Sequence, residues 1–392
     1  MIAENHKTLC PSPSPSERAG VRSLNIGILG AGSFASFAAK AFLLIRGIKI
    51  IAVTDKNNDA AAQMSGDLNA KAYNDYDEFL KDENIDLVYI ATPPFLHYEQ
   101  SKKALLAGKH VICEKPAALQ TIEALELQCL ARSLDLLYVV NLIQRYNPLY
   151  TIVKNIIDEK ILGNFLHGFF ENYASDENLN KDHWFWDETK SGGIFIEHGV
   201  HFFDMFSGWL GEGKVINAIQ LQRPGIERRL IDRVQATVSY HDGIVNFYHG
   251  FDQPKVLDRQ EMRLQFERGE ITLYEWVPVK MKLHGLLQKN DLKKLSELPG
   301  NLTTHHNSSE DKNVKGRFNE ILYDDHATIE YQDTSAKQSR YQQLLTAMLE
   351  DQWNWIKNHD HVRVIDNNNA VESTRIAEQA TQIAQYFNLE KA

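Results

Sequence analysis

Asn25–Ile26–Gly27–Ile28–Leu29–Gly30–Ala31–Gly32–Ser33–Phe34–Ala35 is the stretch that decides how this chain folds. The apolar run Leu24–Leu29 reads as a buried strand. Gly30, Gly32 and Ala35 then give G-x-G-x-x-A, and Phe34, Phe37, Ala38, Ala41, Phe42 and Ile45 continue at helical spacing. Each small residue has a physical role in a dinucleotide fold. Gly30 permits the tight turn, Gly32 lets backbone approach a pyrophosphate, and Ala35 lets the helix pack close to the sheet. The anion would rest on the helix N-terminus, where free N–H groups and the macrodipole favour it. The second strand, Lys49–Thr54, ends at Asp55, 23 positions beyond Gly32, where a ribose 2′-hydroxyl needs an acceptor.

Working outward, a chain of 392 residues has material for two or three domains. Its 43% hydrophobic and 24% charged residues are ordinary globular values. A net charge of −10 argues against nucleic acid or an anionic membrane as partner. Lys40 and Arg46 interrupt and bound the longest apolar run, so no segment is expected to span a bilayer. Residues 1–23 are polar, contain Pro11–Ser12–Pro13–Ser14–Pro15 and lack the apolar core of a signal peptide; they read as a disordered tail. Cys10, Cys113 and Cys129 have no metal or redox spacing, and Cys113 and Cys129 are expected as core thiols in a reducing cytoplasm.

From Asp55 to about residue 143, helix and strand patterns alternate, which specifies a doubly wound parallel sheet, a Rossmann dinucleotide-binding domain over 24–143. The texture then changes. Phe165–Tyr173, Val215–Gln222, Arg233–Tyr240, Ile244–Phe251, Arg263–Gln265 and Glu270–Tyr274 alternate as strands of an open-faced, mostly antiparallel sheet in a second domain, 144–392. Leu286–Asp311 is polar, lysine-rich and poorly periodic, and reads as an inserted loop. Helices are expected over Tyr341–Asn358 and Ala370–Phe387, with the 341–392 region a candidate to pack back on the dinucleotide domain.

Three further stretches carry chemistry. Ala91–Thr92–Pro93–Pro94–Phe95–Leu96–His97 and Glu114–Lys115–Pro116 both lie at strand exits, where open α/β sheets bind ligands. A lysine there is poised to donate to a developing alkoxide. Gly192–Gly193 introduces Ile194–Phe195–Ile196–Glu197–His198–Gly199–Val200–His201–Phe202–Phe203–Asp204. If helical, Glu197, His201 and Asp204 share one face, so that Glu197 can hold His201 while its other nitrogen takes a hydroxyl proton. A metal site is disfavoured, because His198 points about a hundred degrees away from Glu197.

With these residues in view, the chain resembles the Gfo/Idh/MocA family of sugar and polyol oxidoreductases over nearly everything after residue 24. The resemblance is carried by Gly30–Ala31–Gly32, Ala91–Thr92–Pro93, Glu114–Lys115–Pro116, Gln144–Arg145–Tyr146, and Gly192–Gly193 through His201 to Asp204. It implies NAD or NADP in the Rossmann domain, an open sheet face that mediates homodimers or homotetramers, and catalysis by lysine, acid and histidine. Lys115 and His201 match two of these. Glu197 stands where the family usually has aspartate. By the same resemblance Gly30, Gly32, Ser33, Phe34, Asp55, Thr92, Pro93, His97, Glu114, Lys115 and Gln144 bind cofactor. Lys115, Arg145, Tyr173 and His201 are expected to face a sugar or polyol, and so are His183, Trp184 and Trp186, because their segment joins the first sheet strand to the helix carrying Glu197 and His201. The tryptophans have a packing alternative, because tryptophan is heavily buried on average. Asp55 favours NAD over NADP. Two other readings stay open: a glycosidase that retains NAD for transient oxidation and elimination, and a non-catalytic sugar or nucleotide sensor, against which the retention of Lys115 and His201 argues.

Overall fold

The computed structural model describes residues 23–387 apart from 177–178, 224–229, 297–301, 307–311, 316–319 and 334. Apart from Ser23, the expected tail lies outside the described residues, and Cys10 with it. The chain opens with β1 (Leu24–Leu29), α1 (Ser33–Phe42), β2 (Ile48–Thr54), α2 (Asn58–Leu68), β3 (Lys71–Tyr73), α3 (Tyr76–Leu80), β4 (Leu87–Ile90), α4 (His97–Leu106), β5 (His110–Cys113), α5 (Thr121–Ser133) and β6 (Tyr138–Val140). All six strands are parallel, in the order β3-β2-β1-β4-β5-β6. β4, β5 and β6 are buried at every residue, as a sheet covered on both faces requires. α1 turns Ala35, Ala38, Ala39, Ala41 and Phe42 inward, and its alanines let it lie close. Asn57 caps α2 and Asp75 caps α3, each accepting from first-turn amides. The strand order reverses between β1 and β4, which puts a ligand crevice at their carboxyl ends.

The remainder comprises α6 (Pro148–Asp158), β7 (Phe165–Tyr173), α7 (Glu188–Ser191), α8 (Val200–Leu210), β8 (Lys214–Gln222), β9 (Ile231–Ser239), β10 (Ile244–Gly250), β11 (Arg259–Phe266), β12 (Gly269–Tyr274), β13 (Lys280–Leu287), α9 (Lys289–Ser296), β14 (Leu302–His306), β15 (Asn313–Lys315), β16 (Glu320–Leu322), β17 (Asp325–Gln332), α10 (Lys337–Lys357), α11 (Asn367–Ile383) and β18 (Gln385–Phe387). Ten strands make one sheet, β14-β17-β13-β12-β11-β7-β10-β9-β8-β18, antiparallel except where β10 meets β7 and β18 meets β8. Along β7 and β10 buried residues alternate with half-exposed ones, and Phe206 and Trp209 pack on the buried side against Phe247 and Tyr150.

Three expectations need correction. Leu286–Asp311 is not a loop throughout: Leu286 and Leu287 finish β13, α9 follows with its lysines as a solvated face, and β14 pairs with β17. The final helix ends at Ile383, after which the backbone adds β18 to the edge strand β8, whose free N–H and C=O groups offer a partner. Cys113 is a buried free thiol, but Cys129 is half-buried on α5 and is not a free thiol.

Contacts divide the chain into two compact units, one of residues up to Tyr146 with Asp187–Asp204 and Tyr341–Glu378, the other of Asn147–Trp186, Met205–Arg340 and the C-terminus from Gln379. No helix among the described residues is long and apolar enough to cross a membrane.

Candidate active site

In the first unit the strand exits continue the ladder hydrogen bonds. Gly30 N donates to Thr54 O, Ala91 N to Leu29 O, Glu114 N to Ile90 O and Asn141 N to Cys113 O, each at 2.8 Å. This lines the glycine turn, the Thr92 turn and Lys115 along one carboxyl edge.

The glycine turn is built for an anion. Gly30 has φ +105°, and a Cβ there would stand 2.4 Å from the Ala91 carbonyl oxygen. Gly32 is the extended N-cap of α1; no side chain caps it, and a Cβ at Gly32 would meet nothing within 4 Å. An uncapped helix N-terminus beside open space fits the pyrophosphate of a dinucleotide. Asp55 stands at the exit of β2 and takes the Ala31 N–H on Oδ2 and the Asn57 N–H on Oδ1, both at 2.7 Å. The carboxylate therefore shapes the turn and still presents lone pairs to a ribose.

Farther along the edge, His97 is fully buried, with Nδ1 2.7 Å from Pro116 O and Nε2 2.7 Å from Thr92 O. Burial lowers its pKa, and the two carbonyls oppose that. His97 thus ties the Thr92–Pro93 turn to the Lys115–Pro116 turn from beneath. Thr92 Oγ1 hydrogen-bonds Gln100 Oε1 at 2.5 Å. Glu114 accepts on Oε1 from the Tyr89 hydroxyl and from Asn141 Nδ2, the latter at 2.7 Å. Burial raises its pKa, against the lowering effect of those donors. Gln144 is buried, while Ser33 is exposed and Phe34 half-buried at the start of α1.

Lys115 reaches the segment after the Gly192–Gly193 turn. Its Nζ donates to Glu197 Oε1 at 2.5 Å and to the Glu197 carbonyl at 2.7 Å. The two side chains are only 19% and 12% exposed, so the ion pair is poorly screened. The carboxylate expected to hold His201 is therefore engaged by Lys115. Phe195–Gly199 is a π-helical turn that precedes α8, so the angular offset between Glu197 and His201 is not that of a regular helix. His201 is buried, and its pKa is pushed well below the usual imidazole range, first by burial and then by the Lys115 charge. Asp204 belongs to a support: Arg145 grips it with Nε at 2.9 Å and Nη2 at 2.7 Å, and Arg145 Nη2 also bonds its carbonyl at 2.8 Å.

The sequence reading missed Tyr89 and Asn141 around Glu114, and Tyr341, whose ring lies 5.8 Å from Phe34 and 5.4 Å from Phe37. Asn141 had a signal, its place at a strand exit; nothing local marks Tyr341. Tyr173, His183, Trp184 and Trp186 belong to the second unit. Trp186 is buried against Phe185 at 4.7 Å, under the Arg223 guanidinium at 5.3 Å; His183 and Trp184 are half-buried, their rings 5.2 Å apart. The Arg259 guanidinium lies 4.9 Å over the Tyr173 ring.

A Rossmann edge with an open glycine turn is a nucleotide-binding fold, and comparison with known proteins agrees. Residues 24–142 match the oxidoreductase family with an NAD-binding Rossmann fold, and residues 150–272 match the GFO/IDH/MocA C-terminal domain. The chain belongs to the Gfo/Idh/MocA family. Among curated relatives, glucose-6-phosphate 3-dehydrogenase of Bacillus subtilis is 30% identical over 184 residues, 46% of this chain and 52% of that one. The chain spans about half the length of the curated relatives it matches. Among solved structures, KijD10, a 3-ketoreductase from Actinomadura kijaniata with NADP and TDP-benzene, superposes with a TM-score of 0.73 at 16% identity, covering 94% of this chain and 99% of that one. GenD2 from gentamicin A biosynthesis, in complex with NAD, gives 0.69 at 16% identity, covering 95% and 97%. At these identities the structural likeness speaks to fold.

Proposed function

We propose that the protein is an NAD-dependent dehydrogenase acting on a CH–OH group of a sugar, polyol or sugar derivative. The observation that carries the reading is the pairing of an anchored ammonium, Lys115 on Glu197, with a buried imidazole, His201, whose proton affinity burial lowers and that ammonium lowers further. A bound nicotinamide dinucleotide would supply the hydride acceptor, held by the Gly30–Gly32 turn and the first turn of α1, with Asp55 on a ribose. His201 takes the hydroxyl proton as general base. Lys115 has three N–H donors, and Glu197 uses two; the third hydrogen-bonds the reacting oxygen and stabilises its negative charge. Glu197 is a positioning residue, and Arg145 positions the helix through Asp204. The sugar class rests on the family and on what the named relative acts on. Half-buried Trp184 and His183, with Tyr173, suit the apolar face and polar rim of a sugar.

NAD is the preferred cofactor in this reading, because Asp55 would repel a 2′-phosphate. Fluorescence titrations of the full-length chain with NADH and NADPH test it: tighter binding of NADH is expected, and tighter binding of NADPH would contradict it. A cytoplasmic location is part of the same proposal, tested by where a tagged full-length chain fractionates.

A further inference from the structure

Register on the ten-stranded sheet places a row of coordinating side chains far along the chain from the residues discussed above. Glu270 on β12 stands opposite His284 on β13, His284 opposite Thr328 on β17, and Thr328 opposite His305 on β14. In-register partners project to the same face, and so does His326, two residues before Thr328 on its strand. Within this row His284 Nε2 and His326 Nε2 lie 2.7 Å apart, both residues half-buried and their ring planes 44° apart. We infer that His284 and His326 form a two-imidazole clamp for a divalent transition-metal ion of the zinc or nickel type.

The contact has a definite chemistry. One Nε2 donates its hydrogen and the other accepts, so at least one ring presents a lone pair toward its partner. A metal ion replaces that shared hydrogen. The donor ring moves its proton from Nε2 to Nδ1, and both Nε2 lone pairs bind. Zinc–imidazole bonds of about 2.0–2.1 Å put two nitrogens about 2.9 Å apart at a right angle and about 3.4 Å apart at the tetrahedral angle. The pair therefore needs to open by only a few tenths of an ångström to reach the first geometry. Imidazole nitrogen suits zinc and nickel, whereas magnesium and calcium want oxygen. Among the described residues no three His, Cys, Asp or Glu side chains are already grouped to hold a metal ion. The clamp supplies two ligands on rigid adjacent strands, and water completes the shell.

The test is calorimetric titration of the full-length protein with Zn2+ and separately with Ni2+, beside His284→Ala, His326→Ala and the milder His326→Gln. The wild type is expected to bind one ion per chain, and each variant to bind at least tenfold more weakly. His241→Ala, a highly exposed histidine in a turn, is expected to leave binding unchanged. Far-ultraviolet circular dichroism of the metal-free variants shows that the sheet is intact. A Co2+ titration gives a second readout: nitrogen-ligand visible bands present in the wild type and lost in His284→Ala. Binding undiminished in all three clamp variants, or absence of a saturable site in the wild type, overturns the inference.

Discussion

Lys115 shows how one side chain sets two others. Burial lowers the pKa of His201 and the Lys115 charge adds to that, while the Lys115 donors are shared between Glu197 and, in the proposed reaction, the substrate oxygen. His201 should work as a base to lower pH than an ordinary imidazole, since a lowered pKa extends the neutral form downward. The acid limb of kcat/KM should therefore fall below the ordinary imidazole range. In Lys115→Met the residual activity should show that limb at higher pH, because one of the two causes of the lowering is gone. An unmoved limb would show that Lys115 does not act on the base. In the second unit, Trp184→Ala should raise KM with dinucleotide affinity held within a few-fold; an unchanged KM with early melting would assign Trp184 to packing. At this scale the sequence was legible in part. Lys115 and His201 stood out by position, but the partner of Glu197 did not, since an i to i+4 spacing assumes a regular helix. Arg145 and Asp204 are 59 positions apart, and no local pattern announces their bond.

At the scale of elements, the glycine turn between β1 and α1 was readable because each of its constraints is local: a positive φ at Gly30 and open space at Gly32. Gly30→Ala should abolish dinucleotide binding, because its Cβ would meet the Ala91 oxygen at 2.4 Å in a backbone conformation that L-residues avoid. Titration with NADH checks it, and wild-type affinity would contradict the turn's role. The π-helical turn at Phe195–Gly199 was not readable. Nothing in the run Phe195–Gly199 marks such a turn, and the Glu197 carbonyl within it accepts a hydrogen bond from the distant Lys115. The same holds for β14 and β18, whose strands are set by the edges they complete rather than by their own periodicity.

For the whole molecule, alternating strands and helices followed by alternating apolar runs were enough to separate a parallel six-stranded sheet from a mostly antiparallel ten-stranded one. What lay beyond the sequence was the place of Asp187–Asp204 in the dinucleotide-binding unit, because that segment joins it only through long-range contacts. The sheet of the second unit leaves Phe169, Tyr248 and Tyr274 half-exposed on one face. We propose that this face pairs with another copy of the chain; light scattering at micromolar concentration should give at least twice the single-chain mass of 44.8 kDa, and one chain mass would contradict it.

The central claim, that Lys115 and His201 carry a dinucleotide-dependent oxidation, meets its most direct test in initial rates of NADH formation with a panel of sugars and polyols, wild type beside His201→Ala. The account predicts turnover of at least one panel member by the wild type, with kcat lowered about a hundredfold or more in the variant, the usual weight of a positioned acid–base group. A substrate oxidised equally fast by both proteins, or no reduced cofactor from any member of the panel, would contradict it.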